Sequence, residues 1–384
     1  MTFGPGRQVW ERFGHNAIWI HDPENASDDA YNYGLFDFQQ ENFLLRFVRG
    51  EMWYWMAGYP AQQYVRQYER DNRSVWVQEL ELSSGAALEL RQFLRWNAEP
   101  EHRFYHYDYY RDNCSTRVRD ALDRVLAGSI RQQTAGLPTG TTYRFHTQRL
   151  TSNDALISTG LLLALGQGAD RPISAWQEMF LPLAMRDHVR RVTVPGPDGE
   201  RLPLVRSERT LFDSSEPPPA AAPPAWLHWY LAAGATIGGS ALLLGRRARS
   251  SGGARVGFLV VAGGWGMVAG LGGLVLAGLW GLTDHAMAYC NENLLQLNPL
   301  ALALIPAGFG AVRGGGAPRW ATAAALAVAG LSILGLLLQA VPGLDQVNGS
   351  IIALALPAHL GIAAGVSRAV QAPRTLASPS RASV

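Results

Sequence analysis

The chain has 384 residues with 33 Lys or Arg and 31 Asp or Glu, which gives a formal net charge of +2. A charge this close to neutral identifies no partner, and no nucleic-acid partner is expected. The composition argues against a single soluble domain, because residues up to about Pro224 are polar and aromatic whereas those from Trp226 to Val370 are mostly Ala, Leu, Gly and Val. The length allows one sizeable domain and a second unit of different character.

Residues 1–150 show the pattern of an α+β domain. Their alternating apolar residues predict four strands, at Phe13–Ile20, Tyr31–Phe38, Ser74–Leu82 and Arg103–Tyr109. Gly85–Trp96 has the apolar spacing of an amphipathic helix, and a second helix is predicted to begin at Cys114. The opening residues lack the apolar core of a targeting segment, so we expect a signal segment upstream of the first residue.

The segment Phe43–Tyr59 is unusually rich in aromatic residues. It is predicted either to be a buried helix or hairpin, or to lie at a bilayer interface, where Trp and Tyr concentrate. Residues 151–225 are predicted to be a helical extension with one short helix at Ala155–Gly166. They end in the stiff proline-rich linker SSEPPPAAAPPAW.

Residues 226–370 contain five long apolar runs. They are Trp226–Leu244, Val256–Leu282, Leu294–Val312, Trp320–Val341 and Ile351–Val366. Because a membrane helix needs about 20 apolar residues, the pattern predicts an all-α bundle of five transmembrane helices. The last run carries Pro357 and His359, which interrupt its apolar character.

The positions of the arginines predict the orientation of this bundle, because cytoplasmic loops are enriched in Arg and Lys. Arginines follow the first, third and fifth runs, whereas the loops Thr283–Asn293 and Pro342–Ser350 contain none. The pattern places residues 1–225 on the extracytoplasmic side and the C-terminus in the cytoplasm. Residues 371–384 are predicted to be a disordered cytoplasmic tail.

Cys114 lies where an aromatic stretch ends and helical spacing begins. The first turn of a helix offers free N–H groups and positive potential, which favour a thiolate and can receive an oxyanion. His15, near the start of the apolar strand FGHNAIWI, is the best candidate for a base. The alternative is that Cys114 is a small buried hydrophobic residue, as many cysteines are.

Four motifs resemble those of the Lnb-type family of bacterial membrane proteins, which is implicated in lipoprotein N-acylation. They are FGHNAIWI, NYGLFDF, YDYYRDNCSTRVRDALD and DHAMAYCNENLLQLNPL. The order of His15 before an Asn–Cys pair is also similar to the permuted papain-like arrangement of the lecithin:retinol acyltransferase group. The first resemblance covers nearly the whole chain, and the second covers the His15 strand and the Cys114 helix. Together they imply an α+β papain-like (permuted) thiol domain at residues 1–150.

The resemblance implies roles for individual residues. Cys114 would be the nucleophile and His15 the base. Asn32 or Asp37 would stand where the acyltransferase group usually has a third polar residue, often a histidine. The neighbours of the cysteine, Asn113 and Arg117, are candidates for binding the substrate, and the alternative for Arg117 is a solvated helix residue. No metal and no cofactor is expected.

The second cysteine, Cys290, lies in the polar loop Thr283–Asn293 between two apolar runs. His285, Asn291 and Asn293 of this loop are candidates for binding a lipid headgroup beneath the catalytic helix. The alternative is that their side chains satisfy helix ends. A disulfide between the two cysteines is a further possibility, because both are predicted on the oxidising side of the membrane. It would leave no thiol for catalysis.

These features predict a thiol acyltransferase of the bacterial inner membrane. An acyl chain would pass from a phospholipid or a lipoprotein diacylglyceryl group, through a Cys114 thioester, to the N-terminal amine of a lipoprotein. The main alternative is a membrane-tethered cysteine peptidase or amidase that acts on cell-wall peptides with the same two residues. A third is an envelope scaffold without catalysis.

Overall fold

The computed structural model describes residues 1–23, 27–37, 39, 41–312 and 319–370. Phe38, Arg313 and the predicted tail at 371–384 therefore lie outside the described residues. The chain forms two compact units. The first comprises Met1–Leu161 and Ala169–Pro224, and the second comprises Leu162–Gly168 and the chain from Ala225 onward.

The described strands of the first unit form one large sheet and two short two-stranded sheets. They are β1 (Thr2–Phe3), β2 (His15–Asp22), β3 (Ser27–Leu35), β4 (Trp53–Pro60), β5 (Val75–Leu80), β6 (Phe104–His106), β7 (Pro138–Thr142), β8 (Pro172–Ser174), β9 (Thr193–Pro195), β10 (Arg201–Pro203) and β11 (Val205–Phe212). The two-stranded sheets are β7-β8 and β9-β10. The large sheet has the order β11-β5-β1-β2-β3-β4-β6, and every neighbouring pair runs antiparallel. An antiparallel sheet with separate helices is the arrangement of an α+β domain.

The chain up to residue 189 also forms helices, some of which pack on the two faces of this sheet. They are α1 (Phe43–Arg49), α2 (Ala61–Arg70), α3 (Ser84–Asn97), α4 (Cys114–Val125), α5 (Ser129–Thr134), α6 (Tyr143–Leu150), α7 (Ala155–Ala164), α8 (Ala175–Glu178) and α9 (Pro182–Val189). Successive residues of a strand point to opposite faces. Ile18 of β2 accordingly packs in the apolar cluster of α3 and α4, whereas Ala17 packs in the cluster of α2.

The aromatic segment Phe43–Tyr59 is neither the single buried helix nor the hairpin considered above. It forms α1, which ends at Gly50 with a φ of 78°, and then β4 inside the sheet. Glycine is favoured at this left-handed position, which stops a helix. Leu45, Phe47 and Val48 of α1 are exposed, so this part of the segment keeps an apolar surface that the interfacial alternative requires.

The described part of the second unit is mostly helical. Its helices are α10 (Leu227–Arg247), α11 (Gly252–Leu282), α12 (Leu304–Val312), α13 (Arg319–Leu338) and α14 (Gly349–Val370), with 3-10 turns at Ala286–Ala288, Glu292–Leu295 and Pro299–Ala303. Among the described residues four helices are long and apolar enough to cross a membrane, namely Leu227–Arg247, Gly252–Leu282, Trp320–Leu338 and Gly349–Ala369.

The predicted third span, Leu294–Val312, is wrong as a single helix. Asn298 is extended, with φ −132° and ψ 151°, and Pro299 follows it at the start of a 3-10 turn. Proline has no N–H to donate and disfavours helical geometry in the residue before it, so the helix cannot pass this point. The remaining helical part, α12, has nine residues.

The broken segment nevertheless runs back along α11. Gly273 of α11 packs against the backbone of Asn298, Gly266 packs against Ala301, and Gly308 of α12 packs against Leu259. Residue numbers therefore decrease along α11 as they increase along the segment from Asn298 to Gly308, so the two segments are antiparallel. At about 1.5 Å per residue, residues 259–273 of α11 correspond to roughly 20 Å of helix.

The first and last helices of this unit pack in parallel through glycines. Gly234 of α10 lies against the carbonyl of Leu354, Gly238 against that of Pro357, and Gly245 against Gly365. An added Cβ at Gly238 would come within 2.1 Å of the Pro357 carbonyl oxygen. Small residues allow this direct contact between backbones, which is typical of packed membrane helices.

Candidate active site

The helix α4 begins at Cys114 because Asn113 caps it. Asn113 Oδ1 accepts hydrogen bonds from the backbone N–H groups of Ser115 and Thr116, both at 2.9 Å. Its Nδ2 donates to two backbone carbonyls, also at 2.9 Å. Cys114 therefore takes the first position of the helix, where it is 9% exposed. The structure thus gives Asn113 a capping role through Oδ1, and Nδ2 anchors the same side chain to two carbonyls outside the helix.

A buried contact ties the His15 strand to the Cys114 helix. Asn16 Nδ2 donates to Ser115 Oγ at 2.9 Å, and Ser115 Oγ donates to the carbonyl of Met179 at 2.6 Å. Both side chains are buried. Since Asn16 follows His15 and Ser115 follows Cys114, this pair brings the two predicted catalytic residues to the same place.

Strand β3 supplies the partner of His15. Its Nε2 lies 2.5 Å from Oδ1 of the buried Asn32. An amide oxygen only accepts hydrogen bonds, so Nε2 carries the ring proton and Nδ1 keeps the lone pair of a general base. Of the two candidates for the third position, the structure places Asn32 at the histidine. Asp37 is exposed instead, and its carboxylate accepts a hydrogen bond from the backbone N–H of Gln39 at 2.8 Å.

Gly34 opens a small gap beside His15 and Cys114. A Cβ atom placed on Gly34 would be 3.2 Å from Cβ of Cys114 and 3.8 Å from Cε1 of His15. Both side chains therefore face one gap, which is slightly too small for a methyl group because the 3.2 Å contact is closer than usual. The backbone φ of Gly34 is 89°, a conformation that favours glycine. Any other residue would be strained there and would also fill the gap.

Burial keeps both reactive groups neutral. It raises the pKa of the Cys114 thiol to about 11, although the backbone N–H groups of Asn16, Ser115 and Cys114 and the charge of Arg73 lower it. Burial also lowers the pKa of His15 to about 4; the Asn32 hydrogen bond opposes this shift and the charge of Arg73 adds to it. At neutral pH the pair is therefore a thiol beside an uncharged imidazole. A thiolate at Cys114 would need a base to take the thiol proton, and the neutral His15 is the candidate.

Aromatic rings and one buried cation surround the pair. The rings of Phe3, Tyr64 and Tyr68 have centroids 6.1, 6.5 and 6.3 Å from that of His15. They keep water from the imidazole, which is the cause of its low pKa. Arg73 is 5% exposed and lies over the Tyr68 ring at 4.6 Å, and its Nη1 is 3.4 Å from Oε1 of Glu11.

Arg117, which the sequence predicted to contact the substrate, forms an ion pair and a ring contact within the first unit. Its Nε and Nη2 donate to the two carboxylate oxygens of Asp112, at 2.5 and 2.6 Å. The guanidinium also lies over the ring of Tyr105, 4.2 Å from the ring centre. It is thus neither a freely solvated side chain nor an unoccupied anion ligand.

The loop residues predicted to bind a headgroup lie in the second unit. Asn291 and Asn293 are buried, and their Nδ2 atoms donate to the backbone carbonyls of residues 162–164 at 2.7 to 3.1 Å. These amides cap the last carbonyls of α7, which is the alternative stated from the sequence. They also explain why residues 162–168 belong to the second unit. His285 directly precedes the 3-10 turn Ala286–Ala288.

Both cysteines are free thiols, Cys114 buried and Cys290 exposed. The disulfide that the sequence left open is therefore not formed in this structure, and the thiol that a nucleophile requires is present.

Sequence reasoning missed four residues of the site. Two of them had a signal in the sequence: Asn16 is a polar residue inside an apolar strand, and Gly34 is a glycine inside a predicted strand, which often marks a close approach. Ser115 and Arg73 had none, because an isolated serine or arginine is ordinary at any surface. Their role depends on the tertiary contacts that bury them.

Residues 1–149 match the family model of the Lnb N-terminal periplasmic domain. The matched region runs through the His15 strand and the Cys114 helix, and it supports the resemblance to the Lnb family. No curated protein and no solved structure matches the chain. The match and the four candidate membrane helices indicate a multi-pass membrane protein with an Lnb-type periplasmic domain.

Proposed function

We propose that the protein is a thiol acyltransferase of the cell envelope, which transfers a fatty acyl chain to an amine through a thioester on Cys114. The observation that carries the proposal is the arrangement of Cys114, His15 and Asn32 beside the gap at Gly34. A nucleophile at a helix N-terminus, a base and a group that orients the base are the minimum for acyl transfer. Residues 1–149 also match the Lnb N-terminal periplasmic domain, and the resemblance to the Lnb family is what implies acyl transfer.

In the first half-reaction, Sγ of Cys114 attacks the carbonyl carbon of an acyl ester while Nδ1 of His15 takes the thiol proton. The electron pair of the C=O bond moves to the oxygen. When this intermediate collapses, the C–O bond of the ester breaks and the departing alkoxide takes the proton from His15. The donor leaves as an alcohol, and the acyl chain remains as a thioester.

In the second half-reaction, a neutral amine attacks the thioester carbonyl and passes a proton to His15. The C–S bond then breaks, and the thiolate of Cys114 recovers that proton. The product is an amide, and the enzyme returns to its neutral resting state. Asn32 keeps the Nδ1 lone pair of His15 directed at the reacting atoms in both steps, because its amide oxygen fixes the proton on Nε2.

The donor that we propose is a phospholipid or a lipoprotein diacylglyceryl group, since such esters are found in the bilayer and four candidate membrane helices hold the chain there. The proposed acceptor is the N-terminal amine of a lipoprotein, as the Lnb resemblance implies. We further propose that the C-terminus is cytoplasmic, because Arg246, Arg247 and Arg249 cluster at the end of α10.

The proposal is tested on the full-length protein purified with native lipid. We expect the Cys114 peptide to carry an acyl group that hydroxylamine removes, and an added diacylated lipoprotein peptide to gain the same acyl mass at its N-terminus. The variants Cys114→Ser and His15→Ala should give neither product. Cleavage of cell-wall peptides by an unacylated enzyme would instead favour the peptidase alternative, and a protein with neither activity would overturn the enzyme assignment.

A further inference from the structure

The hydroxyl of Tyr105 is buried and has no hydrogen-bond partner within the described part of the chain. The side chain is 5% exposed, because Tyr105 is the inward residue of β6 while Phe104 and His106 point outward. Leaving a buried polar group unpaired costs about 1–3 kcal/mol. A hydroxyl in this condition therefore suggests a partner that is present only during function.

The position of this hydroxyl indicates the partner. Its oxygen lies 3.8 Å from the point where a Cβ on Gly34 would stand, and Cβ of Cys114 and Cε1 of His15 lie 3.2 and 3.8 Å from the same point. The hydroxyl, the nucleophile and the base thus border one gap. A carbonyl that approaches Cys114 from the side of Gly34 would have its oxygen near the phenol.

The neighbours of Tyr105 hold its ring in place and keep the hydroxyl protonated. Tyr33 packs against the ring edge-on, with centroids 6.2 Å apart, and Arg117 lies over its face. Burial and the nearby Cys114 raise the pKa of Tyr105 well above its usual value, while the charge of Arg117 lowers it. The group is therefore a hydrogen-bond donor at neutral pH. A donor fixed in advance is what stabilises a developing oxyanion.

We infer that the Tyr105 hydroxyl donates a hydrogen bond to the oxyanion that forms when Cys114 attacks an acyl ester or thioester, with the backbone N–H of Cys114 as the second donor. The inference rests on the proposed function. When the C=O electron pair moves to the oxygen, the hydroxyl shares its proton without losing it. Gly34 is then required because a side chain there would occupy the place of the carbonyl.

The test uses the full-length protein in detergent micelles with p-nitrophenyl butyrate as the acyl donor. Tyr105→Phe keeps the ring and removes the hydroxyl. We expect the burst of nitrophenolate that accompanies Cys114 acylation to slow by about 100-fold, with kcat and kcat/KM falling together. The rate at which iodoacetamide alkylates Cys114 should be unchanged. The melting temperature should not fall, because the hydroxyl that is removed has no hydrogen bond to lose.

Tyr33→Phe is the matched control. Its hydroxyl donates to Oδ1 of Asn97 at 2.8 Å and is also buried, so its loss should lower the melting temperature. The burst should be unchanged, because Phe keeps the ring that packs on Tyr105. A second pair tests the gap itself. Gly34→Ala should abolish the burst, whereas Gly140→Ala should retain it, since Gly140 has a φ of 71° but nothing within 4 Å of an added Cβ.

The outcomes separate the two claims. A wild-type protein that forms no acyl-enzyme on Cys114 would contradict the proposed function. A wild-type burst that Tyr105→Phe reproduces at the same rate would overturn the oxyanion role and leave the thioester chemistry standing. If Tyr105→Phe does not fold, an undiminished burst in Gly34→Ala overturns the shared gap on its own.

Discussion

The apolar surroundings of Cys114 and His15 act on both groups at once, and this determines the pH dependence that we expect of the proposed reaction. The pKa of His15 is about 4 and that of Cys114 is about 11, both because of burial. Protonated His15 cannot accept the thiol proton. We therefore expect the acylation rate to stay nearly level from pH 8 down to about pH 5 and to fall as the pH approaches the pKa of His15.

The thiol measured by itself should behave differently. Iodoacetamide reacts with the thiolate. At any pH below the pKa of the thiol, raising the pH by one unit increases the thiolate fraction about tenfold. The rate of alkylation of Cys114 should therefore keep rising between pH 6 and pH 9 without a plateau. An acylation rate that falls with a midpoint near pH 6.5 would show that burial does not lower the pKa of His15. An alkylation plateau near neutral pH would show that Cys114 already rests as a thiolate.

A substitution at Asn32 should move this pH dependence in a known direction. Asn32→Asp puts a carboxylate beside His15 in place of an amide, and an adjacent negative charge raises the pKa of an imidazole. We expect acylation at pH 6 to drop while that at pH 8 is largely kept, because His15 is then protonated at the lower pH. Asn32→Ala, which removes the orienting oxygen, should lower the rate at every pH. An unshifted acid limb in Asn32→Asp would exclude Asn32 as the partner of His15.

The sequence and its family resemblance pointed to Cys114 and His15 as candidates, but they could not decide between Asn32 and Asp37. The alternation of apolar and polar residues predicts where the strands lie, but it does not predict which residues of neighbouring strands pair. The pairing of Ala17 with Asn32 brings that side chain to the histidine, and this pairing is visible only in the structure. Tyr105 was hidden for a similar reason, because several tyrosines precede Cys114 and only β6 shows which one points inward.

Among the elements, α4 depends most on its cap. Asn113→Ala removes the two side-chain bonds to backbone N–H groups and two more to carbonyls. We expect a loss of about 1–2 kcal/mol in the stability of the first unit, measured by thermal melting. Ser83→Ala at the cap of α3 is the control, because its exposed side chain accepts a single bond, from Ala86 N–H. Equal losses in the two variants would argue against a special role for Asn113.

The element formed by α1 and β4 is the part of the first unit that we expect to meet lipid. Leu45, Phe47 and Val48 are exposed on α1, and Trp53 is 43% exposed at the start of β4. Brominated lipids that carry the quencher near the headgroup should quench the fluorescence of Trp53, measured as the difference between wild type and Trp53→Phe. Trp76 of β5 provides the comparison through Trp76→Phe. Quenching that does not depend on the depth of the bromine would assign this surface to another partner.

The elements that the sequence predicted best are those with a strong period or a long apolar run, such as α3, α4 and α11. The prediction of the third span as one helix was wrong because it relied on the length of the apolar run. It neglected the Asn298–Pro299 pair, which stops a helix. The boundary at residues 162–168 had no local signal. It is set by the amides of Asn291 and Asn293, which lie more than a hundred residues further along the chain.

For the whole molecule, the parallel packing of α10 and α14 requires an odd number of crossings between them. The helices α11 and α13 supply two, and the broken segment from Asn298 to Val312 supplies the third as it runs back along α11. The orientation that the arginines predict for five continuous spans is therefore compatible with four long helices and one interrupted passage.

This topology can be checked with thiol labelling in intact cells. In a Cys114→Ser background, the exposed Cys290 should react with a maleimide that cannot cross the inner membrane. A cysteine placed by Ser250→Cys in the loop between α10 and α11, with Cys290 replaced, should react only after the cells are permeabilised. The reverse pattern would contradict the orientation, and equal labelling of both would contradict a crossing by α11.

The glycine contacts between α10 and α14 also bear on biosynthesis. Gly234, Gly238 and Gly245 present bare backbone to a helix that is made more than a hundred residues later. Until α14 leaves the ribosome, that face of α10 has only lipid or the insertion machinery against it. The membrane unit is therefore completed after translation of its last helix, and a chain interrupted before Gly349 should keep α10 unpaired and be a target for membrane proteases.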